Sequence, residues 1–388
     1  MAHFAPICFY FQGANLPVQH FDHPARALSR RGENETDTPS EPQTMKTFFN
    51  HLHAQHQGQY EMFRGALVPC HEVAARADHV LAEWQRRKLG EVCAPQAFDA
   101  NALTVIHSER YLAFLESAWS EWVALDPANA ARDALPSVWP TRTFRSDVLP
   151  DNFAARMGLF SFDAGSPLTS GTWVAARAGA DCALSAAQAL VDGDKAAFAL
   201  SRPPGHHAGG DFFGGYCFLN NAALAAQHLR DAGMARVAVL DVDYHHGNGT
   251  QAIFYDRPDV FFASLHGDPR TEYPFFLGYA DETGAGLGEG TNLNLPLPRG
   301  TDYGHWSDAL EVALAAIARF GSEALVVSLG VDTFAGDPIS GFTLQSEDYL
   351  RMGERLQQVG LPTVLVFEGG YAVQEVGINA VNVLQAFA

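Results

Sequence analysis

Apolar residues recur along this chain with two periods, and from about residue 172 onward the two alternate. Val73, Ala77, Val80, Leu81 and Trp84 fall at helical spacing within Glu72–Lys88, which ends on Arg86, Arg87 and Lys88 just ahead of Gly90. Basic residues in a last turn and a glycine beyond it stop helices, so a helix is expected there. His107–Trp122 is a second helix-like stretch whose aromatic residues read as core packing, and Thr172–Val191 is an alanine-rich third. Five runs of strand length follow: Lys195–Leu200, Arg236–Asp241, Val260–His266, Ala324–Asp332 and Thr363–Phe367. Helix-like segments at about 219–232, 306–320, 346–360 and 374–387 lie between or after them. Near-continuous apolar runs belong to strands buried on both faces. Their alternation with helices predicts an α/β fold, a doubly wound, mostly parallel sheet with helices on both faces.

Two segments break the pattern. Residues 1–44 are polar and aperiodic over much of their length, and read as a flexible N-terminal extension to a catalytic domain spanning 45–388. From about 126 to 171 periodicity fades while Pro, Gly, Asp and Arg dominate. So long an irregular segment inside a compact domain is expected to be a functional or interface loop. Its Trp139, Phe144, Leu149, Phe153, Leu159, Phe160 and Phe162 would form an exposed apolar patch on a monomer.

Composition narrows the function. A formal charge of −19 opposes binding to a phosphate backbone and favours a cationic substrate, so no nucleic acid is expected as a partner. No apolar run reaches membrane-spanning length and no secretory signal is visible, which predicts a soluble, cytoplasmic protein without a membrane partner. The five cysteines are scattered and lack Cys-x-x-Cys spacing, so they read as reduced thiols.

Each strand-like run ends in reactive side chains, at the edge of a parallel sheet where ligands bind. The second run passes from Val-Ala-Val-Leu into Asp241-Val-Asp243-Tyr-His245-His246-Gly-Asn-Gly. Asp243 and His245 are two apart, so in extended chain they point to one side and can share a metal ion. With Asp332 at the end of the fourth run they make a set of two carboxylates and one imidazole. Three protein ligands leave a position open, as in catalytic sites; zinc fits best, while Fe(II), Co(II) and Mn(II) also suit these donors. His206 and His207 follow Pro-Pro-Gly and supply an imidazole base near the metal. Tyr371 follows Glu-Gly-Gly, which turns the phenol inward as an oxyanion donor. Tyr216, Tyr273, Phe63 and Ile339 are candidates for an apolar substrate channel.

Arg202-Pro-Pro-Gly-His-His-Ala, Gly215-Tyr-Cys-Phe-Leu-Asn-Asn, Asp241-Val-Asp-Tyr-His-His-Gly-Asn-Gly-Thr, Ser264-Leu-His-Gly-Asp and Glu368-Gly-Gly-Tyr together resemble the zinc-dependent histone deacetylase superfamily. Within it the chain is most similar to the bacterial acetylpolyamine amidohydrolases of the class II-like branch. The resemblance covers about 45–388, and it implies the arginase/deacetylase fold. It also implies roles: Asp243, His245 and Asp332 hold one zinc; His207 is the general base and acid; Asp241 orients His206; Asn248 stands beside His207; Tyr371 is the oxyanion donor. A structural potassium ion is implied at Asp241, Asp243, His245, Ser264 and Leu265, partly through backbone carbonyls. Gly247 and Phe334 fall where two-manganese relatives need further aspartates, which favours one metal. The expected reaction is deacetylation of a small cationic acetylated amine by a homodimer whose 126–171 loops narrow the entrance. Deacetylation of acetyl-lysine in proteins, or silent binding of acetylated amines, are the alternatives. Carboxylates associated with polyamine reading align on Ala154 and Gly165 here, leaving Asp151 or Asp163 as substitutes.

Overall fold

The structure is a computed structural model that describes residues 45–388. The flexible extension expected over 1–44 lies outside the described residues. In chain order the elements are β1 (Lys46–Phe49), β2 (Tyr60–Phe63), β3 (Ala66–Pro69), α1 (Ala75–Arg87), β4 (Val92–Cys93), α2 (Asn101–Thr104), α3 (Glu109–Leu125), α4 (Phe153–Leu159), α5 (Thr172–Val191) and β5 (Ala196–Leu200). Then come α6 (Asn221–Asp231), β6 (Val237–Asp241), α7 (Asn248–Phe254), β7 (Val260–Gly267), β8 (Asn292–Leu297), α8 (Tyr303–Phe320), β9 (Ala324–Leu329), α9 (Asp348–Gln357), β10 (Thr363–Phe367) and α10 (Val376–Leu384). Among the described residues no helix is long and apolar enough to cross a membrane.

Eight strands form one sheet in the order β4-β1-β5-β10-β9-β6-β7-β8. Every neighbouring pair in it is parallel, so the expectation of a mostly parallel sheet becomes a wholly parallel one. The antiparallel pair, β2 with β3, is a separate hairpin. Successive strand side chains point to opposite faces, and the core divides accordingly. Phe198, Leu240, Leu325, Val327, Leu365 and Phe367 pack with Trp84, Trp306 and Tyr349 on one face. Ala197, Val239, Val326, Val364 and Val366 pack under the alanines of α5 and α6 on the other. Alanine on those two helices lets them approach the sheet and each other closely. Trp84 and Trp306 are fully buried; each such side chain contributes about 1.5–3 kcal/mol or more by leaving water.

The sequence pattern missed β1, β4, β8 and the hairpin. Strand β8 reads Asn-Leu-Asn-Leu-Pro-Leu, alternating rather than continuously apolar, because it pairs on one side only. A proline within a strand suits such an edge.

The irregular reading of 126–171 needs correction. It contains α4 and a 3-10 turn at Pro127–Ala131. Phe153 and Phe160 are buried with Tyr111, Phe114, Phe213 and Phe218 in a third core cluster, so they do not belong to a surface patch. Val138, Phe144, Val148 and Leu149 are the large apolar residues of this segment that stay exposed.

Candidate active site

The strands β5, β10, β9 and β6 are neighbours at the centre of the sheet, and each releases its chain at the carboxyl edge into a loop bearing polar side chains. β5 leads to His206 and His207, β10 to Glu368 and Tyr371, β9 to Asp332, and β6 ends at Asp241 before Asp243 and His245. These residues are scattered from 206 to 371 in sequence, and the parallel sheet brings them together. All are at most 7% exposed.

Asp243, His245 and Asp332 offer ligand atoms that lie within 4.8 Å of one another. His245 Nδ1 stands 2.9 Å from Asp332 Oδ2 and 3.3 Å from Asp243 Oδ1. The outer oxygens are fixed by backbone amides: Gly369 N donates to Asp243 Oδ2 at 2.8 Å and Tyr244 N to Asp332 Oδ1 at 2.7 Å. Asp332 Oδ2 is buried without an aligned hydrogen-bond donor among the described residues. Burial and the nearby Asp243 carboxylate push Asp332 up to about 7. For His245, burial works against a charge, but the adjoining Asp243 and Asp332 carboxylates outweigh it and raise the imidazole to about 10. Two buried carboxylates thus compete for a positive charge between them, and this donor set fits a divalent metal ion with a position left open.

Gly369 is required for this approach. A Cβ there would lie 2.5 Å from Asp243 Oδ2 and 2.7 Å from Asp332 Oδ2.

A second group, His206, Cys217 and Glu368, also has ligand geometry, but its protonation is wrong for a metal. Burial drives the Cys217 thiol well up and Glu368 to about 7. Glu368 Oε2 already accepts from Gly205 N at 2.6 Å and His206 N at 3.2 Å, so its role is to hold the histidine turn.

The two adjacent histidines have opposite electrostatics. His206 Nδ1 donates to Asp241 Oδ2 at 2.9 Å; burial disfavours its charge, yet the Asp243 and Asp241 carboxylates raise it to about 10. His207 Nδ1 donates to the neutral amide oxygen Asn248 Oδ1 at 2.6 Å. Burial, reinforced by His206 and His245, holds His207 well below the usual histidine range. A cationic imidazole and a neutral one therefore sit side by side, ring centroids 4.0 Å apart. Environments that push paired groups apart in this way mark acid and base assignments. Asp241 and Ser264 are register partners on β6 and β7, and Ser264 Oγ lies 2.9 Å from His266 Nδ1; Leu265 is buried in the core behind them.

Tyr371 faces the same point from β10. Its amide donates to Asp337 Oδ2 at 2.7 Å, and burial raises its phenol well above the ordinary range, keeping it a donor. Behind the ring lies a network that the sequence did not reveal. The Arg76 guanidinium sits 4.6 Å from the Tyr371 centroid and donates to Gly370 O at 2.6 Å and to Glu368 O. Glu72 Oε1 accepts from Arg76 at 2.8 Å and from Arg202 at 2.7 Å. Burial opposes the Glu72 charge, but the two guanidiniums overcome it and hold the acid at about 2. Contacts 130 and 294 residues apart in sequence have no local signature.

His207, His245 and Tyr371 open into one cavity of about 550 Å³, which Phe63, Tyr216, Tyr273 and Ile339 also line. Tyr216 and Tyr371 meet edge to face at 5.4 Å. Tyr273 packs edge-on to His207 at 5.1 Å and to His245 at 6.1 Å. Of the two candidate acids, Asp163 lines this cavity, whereas Asp151 is exposed on the surface.

Comparison with known proteins agrees with this architecture: a histone deacetylase domain is matched over residues 70–387. The chain belongs to the histone deacetylase family. It is accordingly an enzyme, a deacetylase of the hydrolase class. Acetylpolyamine amidohydrolase 2 of Pseudomonas aeruginosa is 54% identical over 343 residues, covering 88% of this chain and 98% of that protein. Acetylpolyamine amidohydrolase of Mycoplana ramosa is 47% identical over 344 residues, covering 89% of this chain and 100% of the other. Among solved structures, acetylpolyamine aminohydrolase from Burkholderia pseudomallei superposes with a TM-score of 0.84 at 38% identity, covering 89% of this chain and 98% of that one.

Proposed function

We propose that this deacetylase hydrolyses small N-acetylated amines that carry a free ammonium, acetylpolyamines among them, releasing acetate and the amine. The reading is carried by one convergence: a three-ligand acid–imidazole set, a neutral imidazole and a buried phenol at one cavity. Relatives named for acetylpolyamine hydrolysis, covered over nearly their whole length, support the substrate class.

Asp243, His245 and Asp332 would hold a divalent metal ion, zinc by our reading, which would supply Lewis acidity toward the acetyl carbonyl and water. The chain's own groups do the rest. His207, neutral and with Nδ1 committed to Asn248, has Nε2 free to take a proton from water and return it to the departing amine nitrogen. His206, kept cationic by Asp241, offsets negative charge as it develops. Tyr371 donates its hydroxyl to the oxyanion, and Tyr216, Tyr273, Phe63 and Ile339 sheath the alkyl chain. A potassium ion at Asp241, Asp243, His245, Ser264 and Leu265 would brace the strand ends behind these groups.

Rates on acetylputrescine, acetylcadaverine, acetylspermidine and an acetyl-lysine peptide test the proposal. Higher kcat/KM on the small amines is expected, and equal or faster turnover of the peptide would overturn it. Tyr371→Phe is expected to fold normally and to lose about 10²-fold in kcat, the usual cost of one oxyanion donor. Near-parental kcat would remove the phenol from the mechanism.

We also infer a homodimer that pairs through the 126–171 segment, supported by the exposed Val138, Phe144, Val148 and Leu149. Deleting the whole segment is a poor test, since Phe153 and Phe160 belong to the chain's own core. Light scattering of the parent beside Phe144→Glu/Leu149→Glu is direct. A dimer that dissociates in the variant is expected, and a monomeric parent would refute it.

A further inference from the structure

We propose that Asp337 is a positioning residue for the reaction: through the backbone amide of Tyr371 it fixes where the phenol meets the oxyanion, and through Ile339 it ties the channel wall to the same point. This rests on the deacetylase reading above and on the part given there to Tyr371.

The turn that carries Tyr371 has no regular structure of its own. β10 ends at Phe367 and α10 begins at Val376, so neither a strand nor a helix fixes the residues between them. Gly370, directly before the tyrosine, sits at φ +127, a conformation open to glycine. A phenol hung on such a turn stays in place only if the backbone is tied from outside. Val331 N donates to Gly369 O at 3.0 Å, Gly369 N to Asp243 Oδ2 at 2.8 Å, Arg76 to Gly370 O at 2.6 Å, and Tyr371 N to Asp337 Oδ2 at 2.7 Å. The last of these is on the tyrosine's own amide.

Asp337 is built to hold rather than to react. Its Oδ1 accepts from Ile339 N, two residues on, at 3.0 Å, which closes an Asx turn. Its own amide donates to Phe334 O at 3.0 Å, and the loop is laced further by Ala335 N to Leu344 O at 2.9 Å and Leu344 N to Thr333 O at 3.3 Å. A local turn accounts for one carboxylate oxygen. It does not account for the other, which reaches a residue 34 positions away in sequence. Among the described residues no lysine, arginine or histidine forms an ion pair with this acid, so backbone amides are what it serves. The loop that starts at the ligand Asp332 is thereby joined to the oxyanion donor by one side chain. Such alignment is worth rate, since a displacement of about 1 Å costs up to about 10²-fold.

Asp337→Asn separates the two oxygens' roles. Asparagine closes an Asx turn as well as aspartate does, so the bond to Ile339 N survives, while its NH2 group is turned toward the Tyr371 amide, donor against donor. A merely structural turn residue would therefore tolerate the change. We measure kcat and KM on acetylputrescine for the parent, Asp337→Asn, Tyr371→Phe and the double variant, with metal content beside them. Asp337→Asn is expected to lower kcat by about 10- to 100-fold at unchanged KM, the mark of an interaction realised in the transition state, and to keep one metal per chain. In the Tyr371→Phe background the same substitution should change kcat no further, because the hydroxyl it positions is gone. Parental kcat in Asp337→Asn, an equal loss with and without the phenol, or loss of the metal overturns this inference. Should Asp337→Asn not fold, Asp337→Ser, which keeps the turn with a single oxygen, goes through the same cycle. Near-parental kcat in Tyr371→Phe overturns the phenol's role and this inference together. A parent that prefers the acetyl-lysine peptide overturns the substrate reading alone, and the cycle is then run on the peptide.

Discussion

His207→Ala is expected to lower kcat by about 10²- to 10⁴-fold without unfolding the chain, the range associated with losing a positioned general base. The imidazole is buried and hydrogen-bonded by Nδ1 alone to a neutral amide, so its removal deletes no ion pair. The neighbourhood is built around its neutral form. Gly215, at φ +54, approaches so closely that a Cβ there would lie 2.2 Å from the His207 ring. A glycine tolerates that conformation and proximity; another residue would displace the base. His206→Ala differs in kind, because it leaves Asp241 buried without its partner and should lower thermal stability as well as rate. Steady-state kinetics beside melting curves separates the two. A His207→Ala enzyme with near-parental kcat would show that the proton acceptor lies elsewhere.

Asp332→Ala is expected to abolish stoichiometric binding of one divalent metal per chain, weakening it by well over about 10²-fold, since even groups that merely orient ligands are worth about 10- to 100-fold. Activity should fall with occupancy. A second readout follows from the buried repulsion between Asp243 and Asp332. In chelator, the isosteric Asp332→Asn should melt at or above the parent, because it removes one of two buried acids that share the single imidazole charge of His245. With metal restored the order should reverse, since only the parent gains binding energy on folding. Full metal occupancy with unchanged turnover in Asp332→Ala would sink the ligand assignment.

The strands that carry the site were legible because burial on both faces writes a continuous apolar run, and each run stops at its ligands. The helix over 172–191 was legible to the residue, since alanine at most positions leaves no competing period. What escaped was either half-buried or long-range. β8 alternates and sits at an edge. The Asp163–Tyr273 contact joins residues 110 apart, and nothing local to either announces the other. The apolar residues of 126–171 looked alike in sequence, and only packing separates Phe153 and Phe160, which belong to the core, from Phe144 and Leu149, which do not.

The order of the sheet bears on how the chain reaches this state. Of its eight strands β10 is the last in chain order, yet it lies between β5 and β9. Until it arrives, the earlier strands form two separate slabs, each ending in an open, apolar edge of unpaired backbone groups. Such edges are templates for pairing with other chains, and parallel pairings of high sequence separation form slowly. A chain stopped between residues 330 and 362 therefore has most of its fold's hydrophobic surface and neither Glu368 nor Tyr371. It would be aggregation-prone and inactive together, so hydrolytic competence and escape from aggregation arrive with the same five residues, Thr363–Phe367, and the turn that follows them.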